Sequence, residues 1–151
     1  MKNQTQDALA MLKADHQQVA TLFADFEALS DRSKVSKKRL ADQICAALRL
    51  HTRLEEEIFY PAVRGPVDDD DLMDEALVEH AAAKDLIAQI EELDPGDELY
   101  DARIKVLSEQ IAHHVEEEEG QMFPEVKKSG VDLAALGQQM AELKNSLSSA
   151  D

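Results

Sequence analysis

Apolar residues recur every three or four positions along most of this chain, which is the pattern of amphipathic α-helices that bury one face. Four long helices are predicted, at about residues 5–29, 34–63, 70–93 and 98–127. The tail continues the same pattern, and a fifth, shorter helix is predicted to begin at Asp132. The apolar positions of this tail are Leu133, Leu136, Met140, Leu143 and Leu147.

Short breaks separate the predicted helices. Segment 30–33 carries capping residues, and the Arg-Gly-Pro segment 64–66 is predicted to end the second helix. Asp97 is a candidate N-cap for the fourth helix, and Gly130 suits the left-handed position that closes it. Because these connections are short, successive helices are expected to be antiparallel neighbours.

The predicted fold class is therefore all-α, an up-down-up-down four-helix bundle with a C-terminal amphipathic fifth helix. We assign residues 1–130 to the bundle and residues 131–151 to the C-terminal helix and tail. The pattern leaves open whether the fifth helix covers a face of the bundle or makes a dimer contact. A monomer and a homodimer are both compatible with it.

One arrangement of histidine and glutamate occurs twice in the chain. Each copy has a histidine directly after an acidic residue, then a second histidine followed four residues later by a glutamate and ten residues later by a proline. The first copy is Asp15-His16, His51, Glu55 and Pro61, and the second is Glu79-His80, His114, Glu118 and Pro124.

The four histidines are predicted to meet in one layer of the bundle. Residues at equal distances from a turn lie at the same height on antiparallel helices, and each histidine is roughly 14 to 19 residues from its neighbouring breaks, a mismatch of only a few ångströms. Glu55 lies about 40° from His51 and one turn further along, and Glu118 is related to His114 in the same way. These side chains therefore face the core together.

Such a core would be costly without a bound cation, because buried carboxylates lose hydration and repel one another. Imidazole and carboxylate together suit iron, manganese or zinc better than calcium or magnesium. Six protein ligands are too many for one tetrahedral zinc ion. We therefore predict two metal ions, each bound by two histidines and both sharing the two glutamates.

Charge and composition narrow the function classes. The formal net charge of −16 opposes binding to nucleic acid and anionic membranes and favours cations. The single cysteine, Cys45, excludes an intrachain disulfide and a cysteine-based metal motif. No apolar run is long enough to span a membrane, and the N-terminus lacks the pattern of a secretory signal, so a cytoplasmic location is expected.

Over about residues 8–127 the sequence resembles the hemerythrin-like, or HHE cation-binding, family. The resemblance rests on Asp15-His16, Glu79-His80, the two HisxxxGlu motifs, and the Ile-Phe-Tyr-Pro and Met-Phe-Pro segments that end at residues 61 and 124. It implies a non-haem di-iron centre bridged by an oxo or hydroxo group and by Glu55 and Glu118. His16 and His51 would bind one iron, and His80 and His114 the other.

The chain departs from the oxygen-carrying members of this family. They have a further histidine where this chain has Lys84, and an aspartate five residues after the last histidine, where this chain has Glu118 at spacing four. It therefore resembles the bacterial-type subgroup with four histidines and two glutamates. The missing histidine leaves a coordination position that water, peroxide, nitric oxide or Glu56 could fill.

Several residues near the motifs have more than one interpretation. Lys84 either extends its amine to solvent or donates to an iron-bound anion or a bridging glutamate. His113 is interpreted as a surface residue. Tyr60 is not expected to be a ligand, because an α-helix would turn its side chain away from the ligands.

The resemblance favours a small di-iron protein that binds or reacts with O₂, NO or H₂O₂ in a stress response or in sensing. Catalase- or peroxidase-like turnover at the same site would make it an enzyme. Iron homeostasis or delivery, and a structural zinc-binding bundle, are the remaining alternatives. Manganese or zinc could replace iron at these ligands.

Overall fold

A computed structural model describes residues 7–29 and 33–148, which contain helices and no strand. The segments are α1 Ala8–Glu27, α2 Lys34–Leu54, the π-helix π1 Glu55–Phe59, α3 Tyr60–Val67, α4 Asp70–Glu91, α5 Tyr100–Glu117, the π-helix π2 Glu118–Met122, α6 Phe123–Lys128 and α7 Leu133–Ser148. Residues 34–67 form one continuous helix through π1, and residues 100–128 form another through π2. The all-α prediction is confirmed.

The long helices pack as the predicted bundle. α1 lies against α2, α4 against α5, α2 against α4, and α1 against α5. α7 packs on α1, α2 and π1, where Leu136 and Met140 are buried. The fifth helix therefore covers a face of its own bundle, and burying each of these two side chains stabilises that position by about 1.5–3 kcal/mol. The division of the chain at residue 130 stays a prediction.

The apolar core has two parts, one at each end of the bundle. Along every long helix the residues of one part and those of the other are separated by the histidines or glutamates of the repeated motif. On α1, for example, Leu12 belongs to one part and Val19 to the other, with His16 between them. The polar layer thus crosses the middle of the bundle.

Two helix ends differ from the predictions. The second long helix continues through Pro66 to Val67 and ends at Asp68, whose left-handed backbone (φ 56°) stops it. The fourth begins at Tyr100, because the carboxylate of Asp97 accepts from the backbone N–H of Asp94 within the preceding turn and does not cap the helix. Segment 30–33 lies almost wholly outside the described residues.

The predictions for the end of the fourth long helix and the start of the fifth are confirmed. Gly130 has a φ of 81°, in the left-handed region where glycine is favoured. Asp132 accepts a hydrogen bond from the backbone N–H of Ala135 at the start of α7. Within the described part of the chain, no helix has the length and apolar character needed to cross a membrane.

Candidate metal centre

Each predicted bridging glutamate is the first residue of a π-helical segment. The backbone N–H of Tyr60 donates to the carbonyl of Glu55, and that of Phe123 donates to the carbonyl of Glu118, five residues back in both cases. A π-helical segment widens the turn and changes the facing of every residue after it. As a result, Tyr60 and Phe123 turn toward the polar layer at equivalent positions of the two copies.

The carboxylate of Glu55 lies between the two pairs of histidines. Its Oε2 is 3.2 Å from Nε2 of His51, and its Oε1 is 2.9 Å from Nε2 of His80 and 3.9 Å from Nε2 of His114. One oxygen therefore belongs to each half of the layer. The side chain is completely buried.

Glu118 has the same relation to the two halves. Its Oε1 is 3.0 Å from Nε2 of His16, and its Oε2 is 3.4 Å from Nε2 of His114. The structure therefore brings together all six predicted ligands, each at most 8% exposed, in two overlapping groups that could bind metal. The first group is His16, His51, Glu55 and Glu118, and the second is Glu55, His80 and His114.

The first group fits a cation by an independent criterion. Among the described residues, Nε2 of His16, Nε2 of His51, Oε2 of Glu55 and Oε1 of Glu118 are buried, and although they lie 3.0 and 3.2 Å apart in pairs, none of them makes a hydrogen bond of suitable geometry. Unsatisfied buried polar atoms are rare, and each is costly unless a further group binds it. Four such atoms come from four different predicted ligands, whose ligand atoms lie within 4.8 Å of one another. Ligation of metal by these residues nevertheless stays a prediction.

The outer nitrogen of each of the four predicted ligand histidines contacts a carboxylate. The Nδ1 atoms of His16, His51, His80 and His114 lie 2.6, 2.9, 2.7 and 2.6 Å from Glu119, Asp15, Glu56 and Glu79 respectively. An Nδ1–H that donates to a carboxylate leaves the Nε2 lone pair free for a metal and makes it a stronger donor. All four imidazoles are therefore oriented for coordination.

These four carboxylates follow a simple rule in the sequence. Asp15 and Glu79 directly precede a predicted ligand histidine, but each contacts a histidine of the next long helix. Glu56 and Glu119 directly follow a predicted bridging glutamate and contact the histidine of another helix. The acidic residues beside the motifs were therefore a usable signal for these contacts.

The facing predicted for Tyr60 was wrong, whereas its exclusion as a ligand stays a prediction. Its hydroxyl donates to Oε2 of Glu118 at 2.5 Å and lies 3.2 Å from Oε1 of Glu55, 3.3 Å from Nε2 of His80 and 3.4 Å from Nε2 of His114. The prediction assumed α-helical rotation after Glu55, whereas π1 brings the phenol into the centre. Tyr60 therefore supplies an oxygen to the second half.

The first half has no phenol at the equivalent position. Phe123 follows π2 as Tyr60 follows π1, and its ring stacks on His16 with the centroids 6.2 Å apart and the planes inclined by 13°. Each half of the centre therefore contains two histidines and oxygens of the two shared glutamates. The halves differ in the residue beside these groups, which is Tyr60 in the second half and Phe123 in the first.

Lys84 is connected to the centre through Glu56. Its Nζ lies 2.7 Å from Oε1 of Glu56, whose Oε2 contacts the His80 ring. It contacts neither bridging glutamate, and both oxygens of Glu56 are engaged, so the structure does not support Glu56 as a terminal ligand. His113 is on the surface, as predicted, near Glu117 and Glu79.

The charges of the layer shift several pKa values in the metal-free protein. Burial opposes a charge on Glu55, but the positive charge of His51 and hydrogen bonds from the surrounding imidazoles hold the pKa of its carboxyl well below the usual value. Burial also favours a neutral His51, yet Glu55 and Asp15 raise its pKa to about 10. Burial is likewise outweighed at His114, where hydrogen bonds to Glu118 and Glu55 raise the pKa to about 11.

These shifts predict how the metal-free protein responds to pH. His51 and His114 bind protons more tightly when folded than in the unfolded chain, where the pKa is about 6.5. Their contribution to stability is complete below about pH 6.5 and is lost as the pH rises through the folded values near 10 and 11. We expect the unfolding midpoint of metal-free protein, followed by circular dichroism, to fall between about pH 7 and pH 10. A midpoint that rises over this range would contradict the assignment.

A small cavity lies beside the centre. It has a volume of about 30 Å³ and touches all four histidines. Apolar side chains form most of the remaining wall, and its polar members are Asp15, Thr52, Glu79 and Gln110. The apolar wall residues are Val19, Leu48, Ala83, Ile87, Ile111 and Val115.

Comparison with known proteins agrees with this geometry. The model of the hemerythrin HHE cation-binding domain matches residues 7–126. The chain belongs to the hemerythrin HHE cation-binding family. In fold it is similar to a hemerythrin HHE cation-binding domain-containing protein from Mycobacterium kansasii, with a TM-score of 0.77, 24% identity, and coverage of 93% of this chain and 89% of that one.

A curated relative of this HHE-family chain is a DNA nickase from Nostoc sp. (strain PCC 7120). The two are 29% identical over 122 residues, which is 79% of this chain and 33% of the nickase. The chain therefore spans about a third of the length of that relative.

Proposed function

We propose that this HHE-domain protein holds two iron ions and uses them to bind or react with O₂, NO or H₂O₂. The observation that supports it most is the pair of buried carboxylates, each with one oxygen directed to each pair of histidines. Bridging carboxylates are the arrangement that holds two metal ions close together.

The six predicted ligands would have the following roles in binding the two ions. His16 and His51 would hold one ion, His80 and His114 the other, and Glu55 and Glu118 would bridge them. Tyr60 donates to Glu118 and so holds the orientation of that bridge. When bound, two irons would supply the redox chemistry that protein side chains lack.

The surroundings of the centre favour a small ligand. The cavity beside the histidines has room for a molecule of only a few atoms, and the apolar side chains that form most of its wall apart from the histidines suit O₂ or NO better than a charged organic substrate. The buried layer also keeps bulk water away from a reactive iron ligand. These features support ligand binding or peroxide turnover more than storage of many ions.

The test is metal analysis with an absorption spectrum on protein loaded with Fe(II) and exposed to air. We expect two irons per chain and a yellow colour from oxo-to-iron charge transfer, with His80→Ala as the control that loses both. Reversible decolouring on removal of oxygen would indicate binding, and rapid O₂ release from peroxide would indicate catalase-like turnover. Protein that retains only zinc, or a single ion, would contradict the proposal.

We do not propose DNA nicking for this chain. The similarity covers about a third of the nickase, and the net charge of −16 opposes contact with a phosphate backbone. A cytoplasmic location and a monomeric or homodimeric state remain proposals from the sequence.

A further inference from the structure

The cavity beside the histidines has one polar feature that the metal centre does not use. Gln110 lies on α5 one turn before His114 and forms part of the cavity wall. Its Oε1 is buried and has no hydrogen-bond partner among the described residues. A buried amide without a partner is unfavourable, so its presence in a mostly apolar wall needs a reason.

The other polar residues of the wall differ in this respect, because Asp15 and Glu79 contact histidine rings. The hydroxyl of Thr52 donates to the carbonyl of Arg49 on its own helix, so its hydrogen-bonding capacity is used within α2. Gln110 is thus a wall residue that retains a free hydrogen-bonding group within reach of a molecule placed beside the histidines.

An amide can serve such a molecule in either orientation. Rotation by 180° about the last side-chain bond exchanges Oε1 and the NH₂ group with almost no change in shape. With the NH₂ group turned inward, Gln110 would donate a hydrogen bond to an acceptor in the cavity. Dioxygen-derived ligands, nitric oxide and azide all present acceptor atoms when bound to a metal.

We propose that Gln110 positions the exogenous small ligand of the centre by donating a hydrogen bond to it inside the cavity. This inference rests on the proposed function, because it requires the ligand to bind beside the four histidines. Gln110 is a positioning residue with no part in holding the metal, since the six ligands and their outer carboxylates are complete without it.

The decisive variant is Gln110→Met, which keeps a long unbranched side chain and removes the amide. Iron-loaded protein is titrated with azide and, separately, with nitric oxide, and binding is followed by absorption. We expect the azide dissociation constant to rise about tenfold, the effect of losing one hydrogen bond to a charged group, with iron content unchanged. Ser108→Ala, two residues earlier on α5 and outside this cavity, is the matched control and should bind azide as the unaltered protein does.

A second measurement separates positioning from a structural role. Because Gln110→Met removes an unpaired buried amide, the unfolding midpoint of the metal-free variant should stay the same or rise by about 2–4 °C. An unchanged azide affinity in Gln110→Met would overturn the inference, as would a lowered midpoint accompanied by loss of iron. If the unaltered protein itself binds iron but neither azide nor nitric oxide, the proposed function fails and this inference fails with it.

Discussion

Glu55→Ala is expected to weaken iron binding more than about 100-fold. Removing a residue that only hydrogen-bonds to a metal ligand typically weakens binding by about 10–100-fold, and Glu55 is itself a predicted ligand. Glu55 is completely buried and has one oxygen in each half of the centre, so its removal takes a donor from both predicted ions. The measurement is a competition titration with a chelator of known affinity, together with iron content after gel filtration.

Glu57→Ala is the matched control for that experiment. Glu57 lies two residues further along the same π-helix, but its carboxylate pairs with Arg53 on the exposed side. We expect iron content and affinity to remain unchanged. Full iron occupancy in Glu55→Ala would show that the carboxylates do not bridge, and the two-ion assignment would then be wrong.

Tyr60→Phe is expected to weaken binding of the ion held by His80 and His114 by about 10–100-fold and to leave the other ion nearly unaffected. The hydroxyl donates to Glu118 and is within 3.4 Å of both of these imidazoles, whereas Phe123 fills the equivalent position in the other half. Two-phase release of iron to a chelator, one phase faster than in the unaltered protein, would report this difference.

Tyr100→Phe provides the control for the loss of a buried phenol. The Tyr100 side chain lies in the apolar cluster at the other end of the bundle, and its hydroxyl has no partner among the described residues. Its replacement should leave both phases of iron release unchanged. Equal release from the Tyr60 and Tyr100 variants would mean that Tyr60 has no special relation to the centre.

Much of this architecture follows from spacing alone. The apolar repeat predicts the helices, short breaks make them antiparallel, and a motif at matched distances from those breaks then falls in one layer. His16, His51, His80 and His114 meet for that reason. The accuracy comes from the regularity of the α-helix, because each added residue contributes a fixed rise and rotation.

The predictions that were wrong concern positions where the regular α-helix is interrupted or begins. Neither π1 nor π2 is evident from apolar spacing, because one added residue in a turn leaves the overall pattern nearly intact. Tyr60 was consequently placed on the wrong side of its helix. The N-cap prediction for Asp97 was wrong for a different reason, since an aspartate carboxylate can accept a hydrogen bond within a turn as readily as at the start of a helix.

The polar layer that divides the apolar core has a consequence for the life of the protein in a cell. Neither apolar part spans the whole bundle, so the stability of the polar layer between them depends on the ions that neutralise its charges. Any cation that binds only the folded chain adds to its stability in proportion to the logarithm of its supply. The abundance of this protein would then follow the availability of the metal, because unfilled copies unfold and are degraded sooner.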